Sequence, residues 1–205
     1  MQSPKYEDSV FINCPFDKKY QPILHAIIYS VYRCGFYPRT ATEEDDGTDS
    51  RLHKIMRIIR FCKYGIHDIS RIQLTANKFP RFNMPYELGL FFGAKYYGVG
   101  EQRKKQTLVF EKDKFSYQKF ISDLNGIDTK AHEDNPHEVI LKVRDWLKTN
   151  SRRPSIPGSA LISKEYKEFL KELPVIVKRM NLNPRSLLMT DYTIIVEEFI
   201  ADKLR

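Results

Sequence analysis

The arrangement that most restricts the fold of this 205-residue sequence is an alternation of short, nearly continuous apolar runs with longer segments of helical period. Residues 9–14 form such a run, as expected of a strand buried on both faces, and residues 18–34 repeat apolar positions at helical spacing. The alternation continues to about residue 148. Because right-handed crossovers join strands that alternate with helices, they form a parallel sheet covered on both faces. We therefore predict an α/β fold with a parallel sheet of about five strands.

Capping and turn residues divide this alternation into elements. Asp17, Ser50 and Asn83 each stand at the start of a segment of helical period and are predicted to cap a helix. The predicted helices begin near residues 18, 50, 83, 117 and 136, and a polar loop precedes the third of them. The predicted strands are residues 9–14, 36–39, 64–70, 107–111 and 127–131.

A stretch rich in Pro, Ser and Arg separates the alternating region from a helical tail. The tail contains two segments of helical period, residues 164–180, interrupted by Pro174, and residues 190–203. Two such helices cannot form a core alone, so they either pack on the α/β domain or meet a second copy of the chain in a homodimer. The predicted parts are an α/β domain at 1–150, a linker at 151–159 and a helical C-terminal extension at 160–205.

The composition of the chain indicates its cellular compartment and the state of its cysteines. No stretch approaches the roughly 20 apolar residues that span a membrane, and the polar amino terminus has no apolar signal region, so we predict a cytoplasmic protein without a membrane partner. Cys14, Cys34 and Cys62 lie in apolar runs without metal-ligand spacing and are predicted to be buried free thiols. His132 and His137 also lack a ligand spacing and are assigned to a solvated loop. We expect neither a metal nor a cofactor.

The net charge of +8 favours anionic partners such as a nucleotide, a nucleic acid or an acidic protein. The basic residues are scattered, except for short clusters at 103–105 and 152–153 that we assign to solvated loops. A nucleic-acid-binding face usually needs a longer basic stripe with interleaved aromatic residues. The charge alone does not choose among these partners, and nucleic acid is kept as an alternative that is not favoured.

Ligands of an open parallel sheet bind outside the carboxyl ends of its strands, so polar residues that follow the strands are the candidate binding residues. No G-x-G-x-x-G and no G-x-x-x-x-G-K-[ST] motif occurs, so neither a dinucleotide-binding Rossmann site nor a P-loop has its phosphate cradle. The candidates for substrate binding are Asn13, Pro15, Phe16 and Asp17 after the first strand, Arg39 after the second, Asp68 and Ser70 after the third, and Asn83 at the third helix.

Glu87 is the candidate catalytic residue, because it lies in or just after the first turn of an otherwise apolar helix that is expected to face this crevice. The helix dipole and free amide groups there are expected to favour the ionised carboxylate. An ionised carboxylate suits a nucleophile, or a stabiliser of the oxocarbenium-like state in cleavage at an anomeric carbon. A second interpretation, equally compatible with the spacing, is that Glu87 only complements the helix dipole.

Two segments resemble nucleoside 2-deoxyribosyltransferase-like proteins. Residues 10–16 are similar to the family's strand and Pro-Phe turn, and residues 86–94 resemble its E-x-G-x-A helix, which carries a catalytic glutamate. TIR-like NAD-cleaving domains share this flavodoxin-like arrangement and place a glutamate in the corresponding region. The resemblance implies that Glu87 is the nucleophile or oxocarbenium stabiliser, that Asp68 orients the base or ribose, and that the turn at Pro15 and Phe16 packs against them.

The sequence departs from that family at residues 82–85, where Phe-Asn-Met-Pro replaces an Asp-x-Gly-Thr stretch. This departure argues against transfer to a second base and leaves hydrolysis and lost activity open. The expected function is an N-glycosidase with NAD or a nucleotide as substrate, acting as an effector in bacterial immunity or stress response. The alternatives are a non-catalytic sensor that binds a nucleotide signal in the same crevice, and a nucleic-acid-binding protein whose affinity would fall steeply with salt.

Overall fold

The chain contains parallel strands interleaved with helices in a computed structural model that describes residues 4–71, 81–184 and 186–204. The strands are β1 (Ser9–Asn13), β2 (Tyr37–Thr40), β3 (Tyr64–Asp68), β4 (Gln106–Glu111) and β5 (Lys130–Ala131). The α-helices are α1 (Gln21–Arg33), α2 (Arg51–Arg60), α3 (Asn83–Tyr97), α4 (Pro136–Ser151), α5 (Ser159–Arg179) and α6 (Met189–Lys203). The sheet order is β2-β1-β3-β4-β5, as in flavodoxin-like doubly wound folds, so the predicted fold class is confirmed.

Alternate residues of β1 face opposite helical layers, because successive side chains of a strand point to opposite faces of the sheet. Val10 and Ile12 pack into the core formed with α1 and α4. Phe11 packs with the second layer, against Ile55 of α2 and Phe91 of α3. This two-sided burial is the reason why the strand reads as a continuous apolar run in the sequence.

Strand pairing aligns the carboxyl ends at which a ligand is expected. Asn13 at the end of β1 is the partner of His67 in β3, and Asp68 at the end of β3 is the partner of Phe110 in β4. The polar loop predicted between β3 and α3 falls mainly at residues 72–80, which lie outside the described residues.

Of the three predicted helix caps, one is confirmed and two are wrong. The Ser50 hydroxyl accepts the His53 amide at 3.1 Å and caps α2. Asp17 instead accepts the amides of Lys19 and Tyr20, at 3.1 and 3.2 Å, and closes the turn that precedes α1. Asn83 is the first residue of α3 rather than its cap. The capping position falls on Phe82, whose side chain has no group that accepts a hydrogen bond.

The helix predicted at residues 117–124 is also wrong, because this region forms two short 3-10 helices, Ser116–Lys119 and Ser122–Leu124. The buried carboxylate of Glu111 accepts the amides of Phe115 and Ser116 at 2.9 and 2.8 Å. These bonds tie the segment back to the end of β4. They satisfy the amides of Phe115 and Ser116 at the start of the first 3-10 helix.

The tail begins with one long helix, since α5 continues through Pro174 instead of being interrupted there. A proline inside a helix removes one backbone hydrogen bond and disturbs the preceding turn. Val177, one turn later, is buried in the main core and holds the last part of α5 in place. Tertiary packing therefore outweighs the local preference of Pro174.

The tail helices share one continuous core with the α/β layer. Phe169 of α5 packs against Tyr29 of α1 at a ring-centroid distance of 5.3 Å. Tyr192 of α6 stacks on His25 of α1, with centroids 3.8 Å apart. Most of the apolar residues on the inner faces of α5 and α6 are thus buried within the chain itself, while Leu170 and Ile194 are exposed. The homodimer stays a prediction.

Lys105 is an exception among the basic residues predicted to lie in solvated loops. Its side chain is fully buried, and Nζ donates to the carbonyls of Ile59, at 2.6 Å, and Cys62. Lys105 therefore satisfies carbonyl groups at the carboxyl end of α2, where a cation is favourable. None of the described helices is long and apolar enough to cross a membrane.

Candidate active site

A cleft of about 410 Å³ opens where the carboxyl end of β1 meets the amino end of α3. It contains five of the residues singled out from the sequence, namely Glu87, Asn13, Pro15, Phe16 and Asn83. Cys14, Arg51, Arg81, Phe82 and Met84 complete its lining. The location agrees with the rule that ligands of open α/β sheets bind outside the carboxyl ends of the strands.

Asn13 fixes α3 against the sheet. Its side-chain amide donates to the Met84 carbonyl at 2.8 Å and lies 3.1 Å from His67 Nδ1. Burial and the nearby Lys105 lower the pKa of His67 to about 3, so the ring is neutral and accepts the Asn13 hydrogen bond at Nδ1. Asn13 is buried, and its amide is used to position the helix that carries Glu87.

His67 lies in a tightly packed apolar site beneath the cleft. Its Nε2 has no hydrogen-bond partner in the part of the chain that the structure describes, and the ring packs edge-on against Phe11 and Phe91. A Cβ atom at Gly65 would lie 2.7 Å from Nε2, so only glycine fits at that position. The neutral, enclosed His67 supports the site without reaching a ligand.

Glu87 is only 6% exposed, and its carboxylate makes no hydrogen bond to any described residue. The nearest cation is Arg51, whose Nη2 lies 4.0 Å from Oε1. Burial raises the pKa of Glu87 from 4.5 to about 7, and the attraction of Arg51 offsets only part of that effect.

The expectation that the helix amino end keeps Glu87 ionised is therefore wrong in direction. Glu87 is the fifth residue of α3, and the dipole effect falls off within the first turn. Desolvation of the charged form is the larger effect at this position, so the carboxyl group titrates near neutral pH. A simple dipole-complementing role, which needs an ionised side chain at the helix end, does not describe this geometry.

Sequence reasoning missed Arg51 and Arg81, because neither follows a strand. Arg51 is the first residue of α2, where the helix dipole disfavours a cation. That local conflict was the available signal, since residues that break a local rule are frequently functional. Cys14, another lining residue not assigned to the site, is a buried thiol whose pKa is raised well above its usual value by burial and by the carboxylates of Asp68 and Glu87. It is therefore a poor nucleophile.

Asp68 and Ser70 do not line this cleft and belong to a separate buried network. The Asp68 carboxylate accepts hydrogen bonds from the Tyr20 hydroxyl at 2.6 Å and the Ser70 amide at 2.8 Å, and one of its oxygens lies 3.0 Å from His132 Nε2. The contacts with Tyr20 and His132 tie the end of β3 to two remote parts of the chain. A role of Asp68 in orienting a base or ribose stays a prediction.

His132 is fully buried in this network, so its assignment to a solvated loop is wrong. Nδ1 accepts the Asp134 amide at 3.0 Å, which places the proton on Nε2. Nε2 lies 2.8 Å from the Ser70 hydroxyl. A protonated Nε2 donates to Ser70 and cannot take its proton, so the pair is not arranged as an activated serine nucleophile.

The structure separates the other two predicted binding residues from Glu87. Asp17 lies beside the cleft and contacts Arg81 and Arg71, each at 3.4 Å. Arg39 is ion-paired with Glu43 and lines a different cavity of about 480 Å³ between β2 and α6. The described residues contain no group of three or more His, Cys, Asp or Glu side chains arranged to hold a metal ion.

Replacement of Asp68 by alanine is expected to lower the free energy of unfolding by about 3 kcal/mol. The reason is that the buried Tyr20 hydroxyl and the Ser70 amide would lose their acceptor, and His132 would lose its contact with a carboxylate. Urea unfolding at pH 7 measures the loss. Asp128→Ala is the control, because its exposed carboxylate pairs only with Lys130 at 2.7 Å, and a change within about 0.5 kcal/mol is expected. Equal effects of the two substitutions would show that the Asp68 network contributes little.

Comparison with models of known protein families finds no match, and no curated protein matches the sequence. The class of protein therefore rests on the sheet topology and on the residues that line the cleft. The chain is a flavodoxin-like α/β protein with a protonatable glutamate and two arginines in a cleft at the carboxyl ends of its strands.

Proposed function

We propose that this protein is an N-glycosidase that cleaves the bond between base and ribose in a nucleotide or NAD, with Glu87 as the catalytic residue. The observation that carries the proposal is the Glu87 carboxylate, which is nine-tenths buried, has no hydrogen bond to the described residues and lines the cleft. Burial of the carboxylate disfavours its charged form and so costs stability where that form is needed. Such a cost is expected where the group acts on a ligand.

The proposed reaction uses the carboxylate to stabilise positive charge on the sugar. The bond between C1′ and the base nitrogen breaks, and its electron pair leaves with the base. The ionised Glu87 lies against the oxocarbenium-like centre, or bonds to it, while water supplies the hydroxyl group at C1′. One proton of that water passes to the departing base or to solvent. The exposed ring of Phe16, at the mouth of the cleft, supplies an apolar surface for base or sugar.

The resemblance of residues 10–16 and 86–94 to deoxyribosyltransferase-like and TIR-like proteins supports the same chemistry. It also motivates the wider proposals of a cytoplasmic, homodimeric effector in bacterial immunity or stress response. A non-catalytic nucleotide sensor is the second candidate, favoured by the departure at residues 82–85. The net charge of +8 keeps nucleic-acid binding as a third.

Incubation of the protein with NAD, nucleosides and nucleotides, followed by mass analysis of the products, tests this function. Release of a free base from one substrate is expected, and the sugar product shows whether water or a second base was the acceptor. A bound but intact nucleotide would instead identify a sensor. Glu101→Gln is a suitable control variant, because Glu101 is exposed in the 3-10 helix Gly100–Lys104 after α3 and lines no described part of the cleft.

The rate is expected to depend on pH through Glu87. Because burial raises the pKa of Glu87 to about 7 and the ionised form is the active one, kcat/KM should rise about tenfold per pH unit below pH 7 and level off above it. A pH series between 5 and 9 on the identified substrate measures this. A rate that falls as pH rises through 7 would assign Glu87 the role of a proton donor instead.

A further inference from the structure

The mouth of the Glu87 cleft carries cations that nearby acids only partly neutralise. Arg81 and Arg71 share the single carboxylate of Asp17, each at 3.4 Å, and Arg51 lies 4.0 Å from Glu87. The described lining of the cleft contains two arginines and one carboxylate, and neither arginine makes an ion pair shorter than 3.4 Å with a described residue. The local excess of positive charge favours an anion.

Two arginines away from the cleft, Arg33 and Arg57, are neutralised more closely. Arg33 lies 2.6 Å from Glu165, and Arg57 lies 2.8 Å from Asp49 and also contacts Glu44. Guanidinium groups form short, often bidentate hydrogen bonds when a matching oxyanion is available. The contacts of Arg51 and Arg81 with described carboxylates are longer, so both guanidinium groups can form shorter hydrogen bonds to an oxyanion in the cleft.

The amino end of α3 adds backbone donors to the same place. No side chain of the described residues caps this helix, and Phe82, Asn83 and Met84 all line the cleft. Free amides and the positive end of the dipole make a helix amino terminus a binding site for phosphate. Glu87, nine-tenths buried and without a hydrogen bond to the described residues, lines the cleft one turn further along the helix.

We infer that the cleft binds a ribose 5′-phosphate group, with the phosphate between Arg51, Arg81 and the amino end of α3. The position of the ribose rests on the proposed function, in which its anomeric carbon lies against Glu87. Glu87 lies four positions after Asn83, or about 6 Å of helix rise, which matches the extent of a ribose from C1′ to its 5′-phosphate. The preferred substrate is then a nucleotide rather than a nucleoside.

The size of the cleft selects among phosphate-bearing ligands. At about 410 Å³ it lies near the lower end of ligand pockets, which span roughly 300–1,000 Å³. This volume suits a mononucleotide better than a dinucleotide such as NAD. Both carry the same phosphorylated ribose, so the experiment includes each of them.

Binding of ribose 5-phosphate, ribose, inorganic phosphate and NAD to the intact protein tests the inference by isothermal titration calorimetry. Ribose 5-phosphate contains no base, so its binding does not depend on the identity of the base or on turnover. We expect it to bind at least about tenfold more tightly than ribose, since hydrogen bonds to charged groups give differences of this size. The affinity should fall as salt is raised.

Arg51→Gln and Arg81→Gln, alone and together, should remove this preference, with at least about a tenfold loss for the double variant. Arg60→Gln is the matched control, because it removes the same charge from the opposite end of α2 and should change the affinity less than about twofold. Thermal unfolding of every variant confirms that each one is folded.

The possible results separate this inference from the proposed function. Equal binding of ribose and ribose 5-phosphate, or an unchanged affinity in the folded double variant, overturns the phosphate site. Phosphate-dependent binding without base release supports the site while the N-glycosidase proposal fails. Base release that is equally fast from nucleosides and nucleotides, and insensitive to both arginines, supports the enzyme and overturns the site. Tighter binding of NAD than of ribose 5-phosphate through the same arginines keeps the phosphate site and overturns the mononucleotide preference.

Discussion

Replacement of Glu87 by glutamine is expected to lower the rate of base release by about a thousandfold. The substitution keeps the shape of the side chain and removes the negative charge that stabilises the oxocarbenium-like state in the proposed reaction. Single-turnover measurements on the substrate identified from the panel give the size of the loss. Glu101→Gln should keep the rate within about twofold, because surface substitutions away from a site have little effect.

The same variant is expected to be more stable than the natural protein at pH 8, by about 3 kcal/mol. The folded-state pKa of Glu87 is raised from 4.5 to about 7, so the folded protein binds this proton more tightly than the unfolded chain does. Stability from this group is therefore complete below pH 4.5 and is lost as pH rises from 4.5 through 7. Glutamine cannot ionise, so the gain should be largest at pH 8 and close to zero at pH 4.5.

Urea unfolding of the natural protein and the variant at both pH values measures this difference. A loss of activity together with a gain of stability at pH 8 is what a buried carboxylate retained for function would give. A variant that keeps near-normal turnover would remove Glu87 from the chemistry. A variant that is less stable than the natural protein at pH 8 would show that the ionised carboxylate contributes to folding.

Replacement of Phe169 by alanine is expected to lower the free energy of unfolding by roughly 3–5 kcal/mol. The ring is fully buried where α5 meets the rest of the chain, and it packs against Tyr29, Tyr192 and Phe199 at centroid distances of 5.3, 5.9 and 5.1 Å. Loss of the ring would open a cavity shared by the tail and the α/β layer. Because domains of this kind have stabilities of about 5–15 kcal/mol, such a loss is a large share of the total.

The next residue of the same helix supplies a matched control. Leu170 is 43% exposed, so Leu170→Ala should cost less than about 1 kcal/mol. Truncation after residue 151 should leave an insoluble or unfolded chain, because it uncovers the apolar faces of α1 and α4. Similar costs for the two substitutions, or a soluble and cooperatively folding truncated chain, would contradict an integral role of the tail.

Much of the fold could be predicted from the sequence. The apolar run at residues 9–14 and the helical spacing after it predicted β1 and α1, and their repetition predicted the parallel sheet. A helix buried on one face and a strand buried on both faces each produce their own apolar pattern, so a single sequence is enough to predict them. The predictions for Asn83 and for residues 117–124 were wrong. The exact start of α3 and the hydrogen bonds of Glu111 to residues 115 and 116 depend on side-chain positions that the residue pattern does not specify.

The candidate site was predictable only in part. The position of Glu87 near the start of a helix, together with the polar residues after β1, placed the cleft at the correct end of the sheet. The sequence could not predict that Arg51 and Arg81 lie in this cleft. It also could not separate Asp68 and Ser70, which bond to His132 in a buried network, from the residues around Glu87.

By itself the sequence determined the order of strands and helices, the buried thiols and the residue types available for chemistry, because these follow from composition and period. Tertiary structure alone decided which residues remote in the chain meet, and how much water reaches each of them. The protonation of Glu87 depends on that second kind of information, since desolvation by surrounding residues outweighs the helix dipole that the local sequence supplies. The site is therefore a property of the packed chain, although each of its residues can be read from the sequence.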